Sequence, residues 1–317
     1  MRAPEFWDRD DWRARVLAPL GWAYGTSVAW KEAHAVPYRS SAAVVCVGNI
    51  SVGGTGKTPV AIEIAHRLAA RGRRPVFLSR GYGGRLRGPV EVHEGNSAAD
   101  VGDEPLLLRH AAPVVVARDR AEGARLAETL GDTIVMDDGH QNFALAKDLS
   151  LVVVDGETGF GNGRVVPAGP LRETVAQGLA RAHAVIVTGD GEVPLAGFKG
   201  EVLRSHLVQH GADVAGRRVV AFAGIGRPDK FFQALEHQGA AVAASKSYAD
   251  HHTYTQAEIA RLKSKARSLG ALLVTTEKDF VRLTPAEREG ILPLPVRAAF
   301  DRPDALEALL DTLTAKR

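Results

Sequence analysis

Val47-Gly-Asn-Ile-Ser-Val-Gly-Gly-Thr-Gly-Lys-Thr-Pro59 is the stretch from which the rest of the chain can be read. It follows a short β-branched run, Ala42–Val47, and opens an amphipathic helical pattern from about Lys57 to Arg71. Against the phosphate-loop pattern G-x-x-x-x-G-K-[ST], Gly56, Lys57 and Thr58 match, while Ser51 stands where the first glycine belongs. The physics survives that change. Gly53, Gly54 and Gly56 let backbone N–H groups turn inward on a phosphate, and the helix start adds the positive end of its dipole. The predicted nucleotide-binding residues are Ser51, Val52, Gly53, Gly54, Thr55, Gly56, Lys57 and Thr58. Lys57 is expected to reach the β and γ phosphates and the Thr58 hydroxyl to ligate Mg²⁺. A structural turn needs one or two glycines, not three followed by Lys-Thr.

Outward from this turn, short apolar runs alternate with helical stretches. Pro75–Leu78, Val114–Ala117, Ile134–Met136, Leu151–Val154 and Ala184–Val187 read as buried strands, with helices such as Asp119–Leu130 between them. That pattern implies a mainly parallel sheet covered on both faces, an α/β fold of the P-loop NTPase-like kind. A second, smaller α/β unit begins near Arg217, with strands at Val219–Ala223, Ala241–Ala244 and Leu272–Thr275. Its helices are expected near Asp229–Gln238 and Gln256–Leu269, and Ala305–Leu313 closes the chain as a helix. The expected organisation is an N-terminal helix segment (1–40), a P-loop domain (41–212) and a C-terminal α/β domain (213–317).

Length and composition agree with this reading. At 317 residues, 45% apolar and 24% charged, the chain is long enough for two domains. Its 40 basic and 37 acidic residues leave a net charge of +3, without the long basic blocks of a nucleic-acid binder. One cysteine, Cys46, excludes an intramolecular disulfide framework and any multi-cysteine zinc site. The uncharged stretch Val16–Trp30 is too short for the roughly 18 residues of a membrane span and is interrupted by Pro19, Gly21 and Gly25. Four acids before it (Glu5, Asp8, Asp10, Asp11) exclude a secretory signal. Trp12, Val16, Leu20, Tyr24 and Val28 recur every fourth residue, and Trp22 and Trp30 lie close by. Such a helix either lies in a membrane interface or docks on the main domain; the pattern alone leaves both open.

Phosphoryl transfer needs a metal-holding carboxylate and a proton acceptor. Asp137 and Asp138 end an apolar strand, where P-loop proteins hold the Mg²⁺ shell. Asp103 and Glu104 open a helix, as candidate base or as simple N-terminal caps. In Asp250-His-His252 a histidine could orient a carboxylate. Between Arg71 and Arg87 lie six arginines and no acid, with Tyr82 among glycines. That run is either a solvated face or a surface for phosphate, with Arg80 and Tyr82 as the candidate contacts. Thr275-Thr-Glu-Lys-Asp279 ends a strand and is expected to line the cleft, but its lysine is one position too late for a guanine-reading motif.

In chain order, these segments resemble one family, the tetraacyldisaccharide 4′-kinases of the lipid A pathway in Gram-negative bacteria. The resemblance rests on Gly48–Pro59, Ser79-Arg-Gly-Tyr-Gly83, Gly102-Asp-Glu-Pro105, Asp137-Asp-Gly139 and Gly161-Asn-Gly163. It continues with Pro167-Ala-Gly-Pro-Leu-Arg-Glu173, Asp250-His-His252 and Thr275–Asp279. It implies transfer of the ATP γ-phosphate, with Mg²⁺, to the 4′-hydroxyl of a tetraacylated glucosamine disaccharide 1-phosphate. It also implies work at the cytoplasmic face of the inner membrane and a site in the cleft between two domains. By resemblance Asp103 is the base, His251 its partner, and Arg172 and Glu173 lie near substrate or phosphates. The N-terminal segment is then tilted toward the membrane reading. One departure stands out: the family usually has an apolar residue and then Gln-His after Asp-Asp-Gly, whereas this chain has His140-Gln141-Asn142. Two rivals are a partitioning-type ATPase switch and a soluble small-molecule kinase. The first places a lysine before the paired glycines, where this chain has Val52.

Overall fold

The computed structural model describes residues 4–210 and 213–313; residues 1–3, 211–212 and 314–317 lie outside the described residues. Its strands are β1 (Ala43–Gly48), β2 (Pro75–Ser79), β3 (Val90–Glu91), β4 (Val114–Val116), β5 (Thr133–Asp137), β6 (Leu149–Asp155) and β7 (Ala184–Thr188). They continue with β8 (Glu201–Gln209), β9 (Arg218–Ala223), β10 (Ala241–Ser247), β11 (Leu272–Thr276), β12 (Ile291–Leu294) and β13 (Val296–Phe300). Nine strands form one sheet in the order β13-β8-β7-β6-β1-β5-β2-β4-β3, and four form a second in the order β10-β9-β11-β12. The large sheet is parallel except at its rims, where β13 runs antiparallel to β8 and β3 to β4. The small sheet is parallel throughout.

Burial on both faces explains the continuous apolar strands. In β1, Val45 and Val47 join a core with Val60, Ile64 and Leu68 of helix Lys57–Ala70. Their neighbours Val44 and Cys46 point the other way, against Ala124 and Ala127 of helix Arg120–Leu130. A strand covered twice cannot alternate apolar with polar. β1 lies between β6 and β5, so the chain leaves the sheet in opposite directions on its two sides. The loops after β1, β2 and β5 therefore open into one crevice at the carboxyl ends of the strands, where α/β sheets bind ligands.

Two expectations are corrected. β8 has no apolar run to reveal it: only Leu203 and Ser205 of its residues are buried, and Val202 and Leu207 are exposed. The C-terminal unit is also narrower than 213–317: β13 returns to the large sheet beside β8. Helix Pro303–Asp311 follows it there and places Leu306 and Leu310 in the same core as Ile64 and Leu68. Arg67 and Arg71 both pair with Glu307 across that contact. The boundary expected at 212/213 touches residues 211 and 212, outside the described residues.

The N-terminal segment is a single helix, Trp12–Ala33, capped by Asp11, whose side chain accepts from the backbone of Arg13 and Ala14. Its buried positions are Ala14, Gly21, Gly25 and Val28. A Cβ at Gly21 would sit 2.6 Å from the Val165 carbonyl oxygen, so glycine is what lets the helix approach. The opposite side exposes Trp12, Val16, Leu20, Trp22, Tyr24 and Trp30. A four-residue row drifts by about 40° per step on a helix of 3.6 residues per turn. That drift turns Val28 inward while Trp12, Val16 and Leu20 stay outside. No helix of the described residues is long and apolar enough to cross a membrane.

Candidate active site

The phosphate turn is built from β1 and braced from the side. The Val52 N–H donates to Pro170 O at 2.7 Å, and the Arg172 N–H to Ile50 O at 2.7 Å. Ser51 forms an antiparallel bridge with Leu171, an extended conformation that needs no glycine. Gly56, in contrast, has φ +83°, which favours glycine, and sits against Thr188. Gly53 has φ +122° and nothing within 4 Å of where a Cβ would stand, so the turn's inner wall is open backbone.

Asp137 and Asp138 lie directly below. The Thr58 hydroxyl donates to Asp137 Oδ2 at 3.2 Å, while Asp137 Oδ1 is buried without a hydrogen-bond partner among the described residues. Burial, helped by the negative charge of Glu104, pushes the Asp137 carboxyl up to about 7. Asp138 receives both prongs of Arg172, at 2.8 and 3.0 Å, and lies 3.8 Å from Lys57 Nζ. Burial would raise its carboxyl too, but Lys57 and Arg172 outweigh that and hold it at about 2. A hydroxyl oxygen, an orphaned buried carboxylate oxygen and a second carboxylate next door suit a hard divalent cation, which takes oxygen ligands. The residues present therefore fit Mg²⁺.

Asp103 faces the crevice from the start of helix Asp103–Leu108 and meets His251 from the second unit, with His251 Nδ1 3.0 Å from Asp103 Oδ2. His251 occupies the left-handed region at φ +58°, its N–H donating to Gly224 O at 3.1 Å. Tyr82 is exposed, with its ring centroid 5.7 Å from that of His251. Arg80 is exposed on the same loop. The arginine-rich run around it is not one phosphate surface. Arg71 pairs with Glu307 and Asp311, Arg73 and Arg74 with Asp132, and Arg85 with Asp100.

Glu173 is a correction. It is fully buried, paired with Arg181 at 2.6 Å and accepting from Gln141 Nε2 at 2.8 Å, so it does not reach into the crevice beside Arg172. It acts as a strut. Gln141 also donates to Asn49 O at 2.7 Å and accepts from Arg172 at 3.3 Å, tying the turn to the acid pair. His140 is buried, with Nε2 2.9 Å from Gly178 O and Nδ1 3.2 Å from Ser150 Oγ. Burial, with the charges of Arg181 and Lys147, holds its imidazole down at about 3, so it stays neutral and structural.

Two side chains, Arg282 and Arg120, escaped the sequence reading, and Lys278 entered it only as part of Thr275–Asp279. Arg282 contacts Asp103 through Nε at 2.9 Å and through a second nitrogen, and Lys278 reaches Glu104 at 3.4 Å. Their spacing, four apart from Lys278 inside Thr275–Asp279 to Arg282 just past it, is a signal that both share one face. Arg120 is buried at a helix start, with Nε lacking a hydrogen-bond partner among the described residues. Burial and the nearby Arg80 charge bring its guanidinium down to about 10.

What meets in this crevice is the equipment of a P-loop phosphotransferase. The family model for tetraacyldisaccharide-1-P 4′-kinase matches residues 13–315. The tetraacyldisaccharide 4′-kinase of Rhodospirillum rubrum is 50% identical over 100% of this chain and 99% of its own. That of Dinoroseobacter shibae is 51% identical over 99% of this chain and 98% of its own. Among solved structures, LpxK from Aquifex aeolicus in complex with ATP aligns with a TM-score of 0.77 at 27% identity, covering 95% of this chain and 99% of that one. The chain belongs to the tetraacyldisaccharide-1-P 4′-kinase family.

Proposed function

We propose that this protein transfers the γ-phosphate of ATP to the 4′-hydroxyl of a tetraacylated glucosamine disaccharide 1-phosphate at the cytoplasmic face of the inner membrane. The observation that carries the reading is the Asp103–His251 pair, 3.0 Å apart, in a chain matched end to end by this family. It is a proton-accepting pair contributed by two units, across a crevice from an open phosphate turn. In this reading the turn amides and Lys57 hold the triphosphate, and Arg172 fixes Asp138 beneath it. Bound by Thr58, Asp137 and Asp138, Mg²⁺ would neutralise charge on the phosphate oxygens. Arg80 and Tyr82 flank the pair and are assigned to the sugar phosphate and the sugar ring. The Asp103–His251 pair receives the hydroxyl proton.

The amphiphilic helix supports the lipid part of the reading. Its exposed tryptophans suit a membrane interface. An apolar groove of about 350 Å³ runs between Gly21, Trp22 and Gly25 and the Val165–Ala168 loop, a few residues before Arg172. Incubation with γ-labelled ATP, Mg²⁺ and the disaccharide lipid should give a labelled bis-phosphorylated lipid. ATP hydrolysis stimulated by DNA or a protein partner, with no lipid product, would instead favour an ATPase switch. Turnover of a water-soluble acceptor, with no liposome binding, would favour a soluble small-molecule kinase.

A further inference from the structure

Helix Trp12–Ala33 meets the large unit at a second place besides the Val165 loop. Glu32, in its last turn, accepts from Arg181 Nη1 at 2.9 Å. Arg181 follows helix Val175–Ala180 and directs its donors two ways. Nη1 also donates to Gln177 O at 3.0 Å, while Nη2 donates to both oxygens of Glu173, at 2.8 and 2.6 Å. Its Nε is buried without a hydrogen-bond partner among the described residues, and the Phe143 ring centroid lies 5.1 Å from its guanidinium carbon. The polar contacts that orient this guanidinium are therefore two carboxylates and one carbonyl. One of those carboxylates belongs to the N-terminal helix.

From Glu173 the contacts run on to the acid pair. Glu173 Oε1 accepts from Gln141 Nε2 at 2.8 Å, and the same nitrogen donates to Asn49 O at 2.7 Å. An amide nitrogen carries two hydrogens, and both are engaged. Gln141 Oε1 is thereby turned toward Arg172 Nη1, 3.3 Å away, and Arg172 holds Asp138 at 2.8 and 3.0 Å. Turned over, the Gln141 amide would offer N–H groups to a guanidinium that can only donate. The amide thus has two discrete settings, and the Glu173 carboxylate, aimed by Arg181, selects the one that supports Arg172. A group with two settings is what a physical link between distant sites requires.

We propose that Arg181 is a positioning residue through which the seating of helix Trp12–Ala33 orients Arg172 and Asp138. This rests on the kinase reading above and deepens it, joining the helix with the exposed tryptophans to the carboxylate beside Lys57. With the helix seated, Glu32 and Glu173 hold Arg181 between them. With the helix lifted, Arg181 loses one carboxylate, Glu173 is aimed less firmly, and the Gln141 amide is freer to turn. The Glu32 side chain is 34% exposed and that of Arg181 21%, so the outer pair is a modest contact and its effect on rate is graded.

Glu32→Ala tests the link from its outer end, because Arg181→Ala would strand the buried Glu173 carboxylate and threaten the fold. Gln141→Ala cuts the row in the middle. Both are made in the full-length enzyme, singly and together, and assayed with γ-labelled ATP, Mg²⁺ and the disaccharide lipid. Each single variant should lower kcat about three- to fivefold with KM for ATP unchanged. The double variant should be no slower than Gln141→Ala alone, since a link already cut cannot be cut again. Losses that multiply would overturn the proposal, as would full kcat in Glu32→Ala. Sedimentation with anionic liposomes should be the same for Glu32→Ala and the wild type. Weakened binding that accounts for the whole loss of rate would reduce Glu32 to an anchoring residue and also overturn the link. Hydrogen exchange in the nucleotide-free, metal-free enzyme gives a readout independent of turnover. The backbone amides of residues 139–142 should exchange faster in Glu32→Ala than in the wild type, and identical exchange would again count against the link. A wild-type enzyme that labels no lipid would remove the kinase reading while leaving the exchange difference in place, so the two failures are distinguishable.

Discussion

Asp137 and Asp138 are adjacent in the chain, yet one is driven toward its neutral form and the other held ionised. Sequence proximity put both at the strand end; only their three-dimensional partners, Thr58 for one and Arg172 with Lys57 for the other, separate them. The same distinction shapes the kinetics expected of single substitutions. Asp103→Ala should lower kcat by at least about two decades, roughly 3–5 kcal/mol of barrier, with nucleotide affinity little changed. Lys57→Ala should damage both, since its ammonium serves ground state and transition state alike. Equilibrium nucleotide titration beside steady-state rates separates the two patterns. Glu173→Ala belongs to another kind. It leaves Arg181 facing an empty buried site, so the loss should appear in thermal or urea unfolding, on the order of 3 kcal/mol. Unchanged melting with a collapsed kcat would return Glu173 to the site chemistry. Resemblance put Glu173 beside the substrate because it follows Arg172; burial decides that the two neighbours face opposite ways.

At the scale of elements, helix Trp12–Ala33 shows how a periodic pattern can be seen while its direction stays open. The every-fourth-residue row was visible, but a row of large apolar residues looks the same whether it faces protein or lipid. The small residues decide which side docks: glycines at 21 and 25 bring the backbone against Val165, and the aromatics are left outside. Two substitutions should therefore come apart. Replacing Trp22 and Trp30 by Ser should weaken sedimentation with anionic liposomes and leave the melting temperature nearly unchanged. Gly21→Leu should undock the helix, because its Cβ meets a backbone oxygen that cannot rotate away, and should lower lipid turnover while ATP affinity persists. Equal liposome binding by the tryptophan variant would end the interfacial role. The phosphate turn is the contrary case. Strand, turn and helix are consecutive in the chain, so local pattern and local geometry coincide from β1 through the turn into helix Lys57–Ala70.

For the whole molecule, the chain's path matters more than any one contact. β13 and helix Pro303–Asp311 return to the large sheet after the second unit is complete, so that unit is inserted into the large one rather than appended to it. Global stability carries a testable pH signature. His140, with its folded value of about 3 below the unfolded imidazole's 6.5, contributes stability that is full above pH 6.5 and is lost as pH falls toward 3. Asp137, raised to about 7 from 3.8, acts with the opposite sign across an overlapping window. The comparison with a His140→Gln variant isolates the histidine. Between pH 6.5 and 4 the wild type should lose more stability than the variant, measured as the difference between their unfolding free energies. Parallel curves would mean that His140 does not stay neutral in the native state.

The sequence alone determined what is local: the phosphate turn, the buried strands, the acid pair after β5, and the order of motifs that marks the family. These follow from backbone sterics and from periodicity within a few residues. Tertiary structure alone decided which of two adjacent side chains enters the crevice, that Arg282 grips Asp103 across 179 positions of chain, and that the last strand belongs to the first sheet. Burial and charge pairing act through space, and no spacing along the chain encodes what stands opposite.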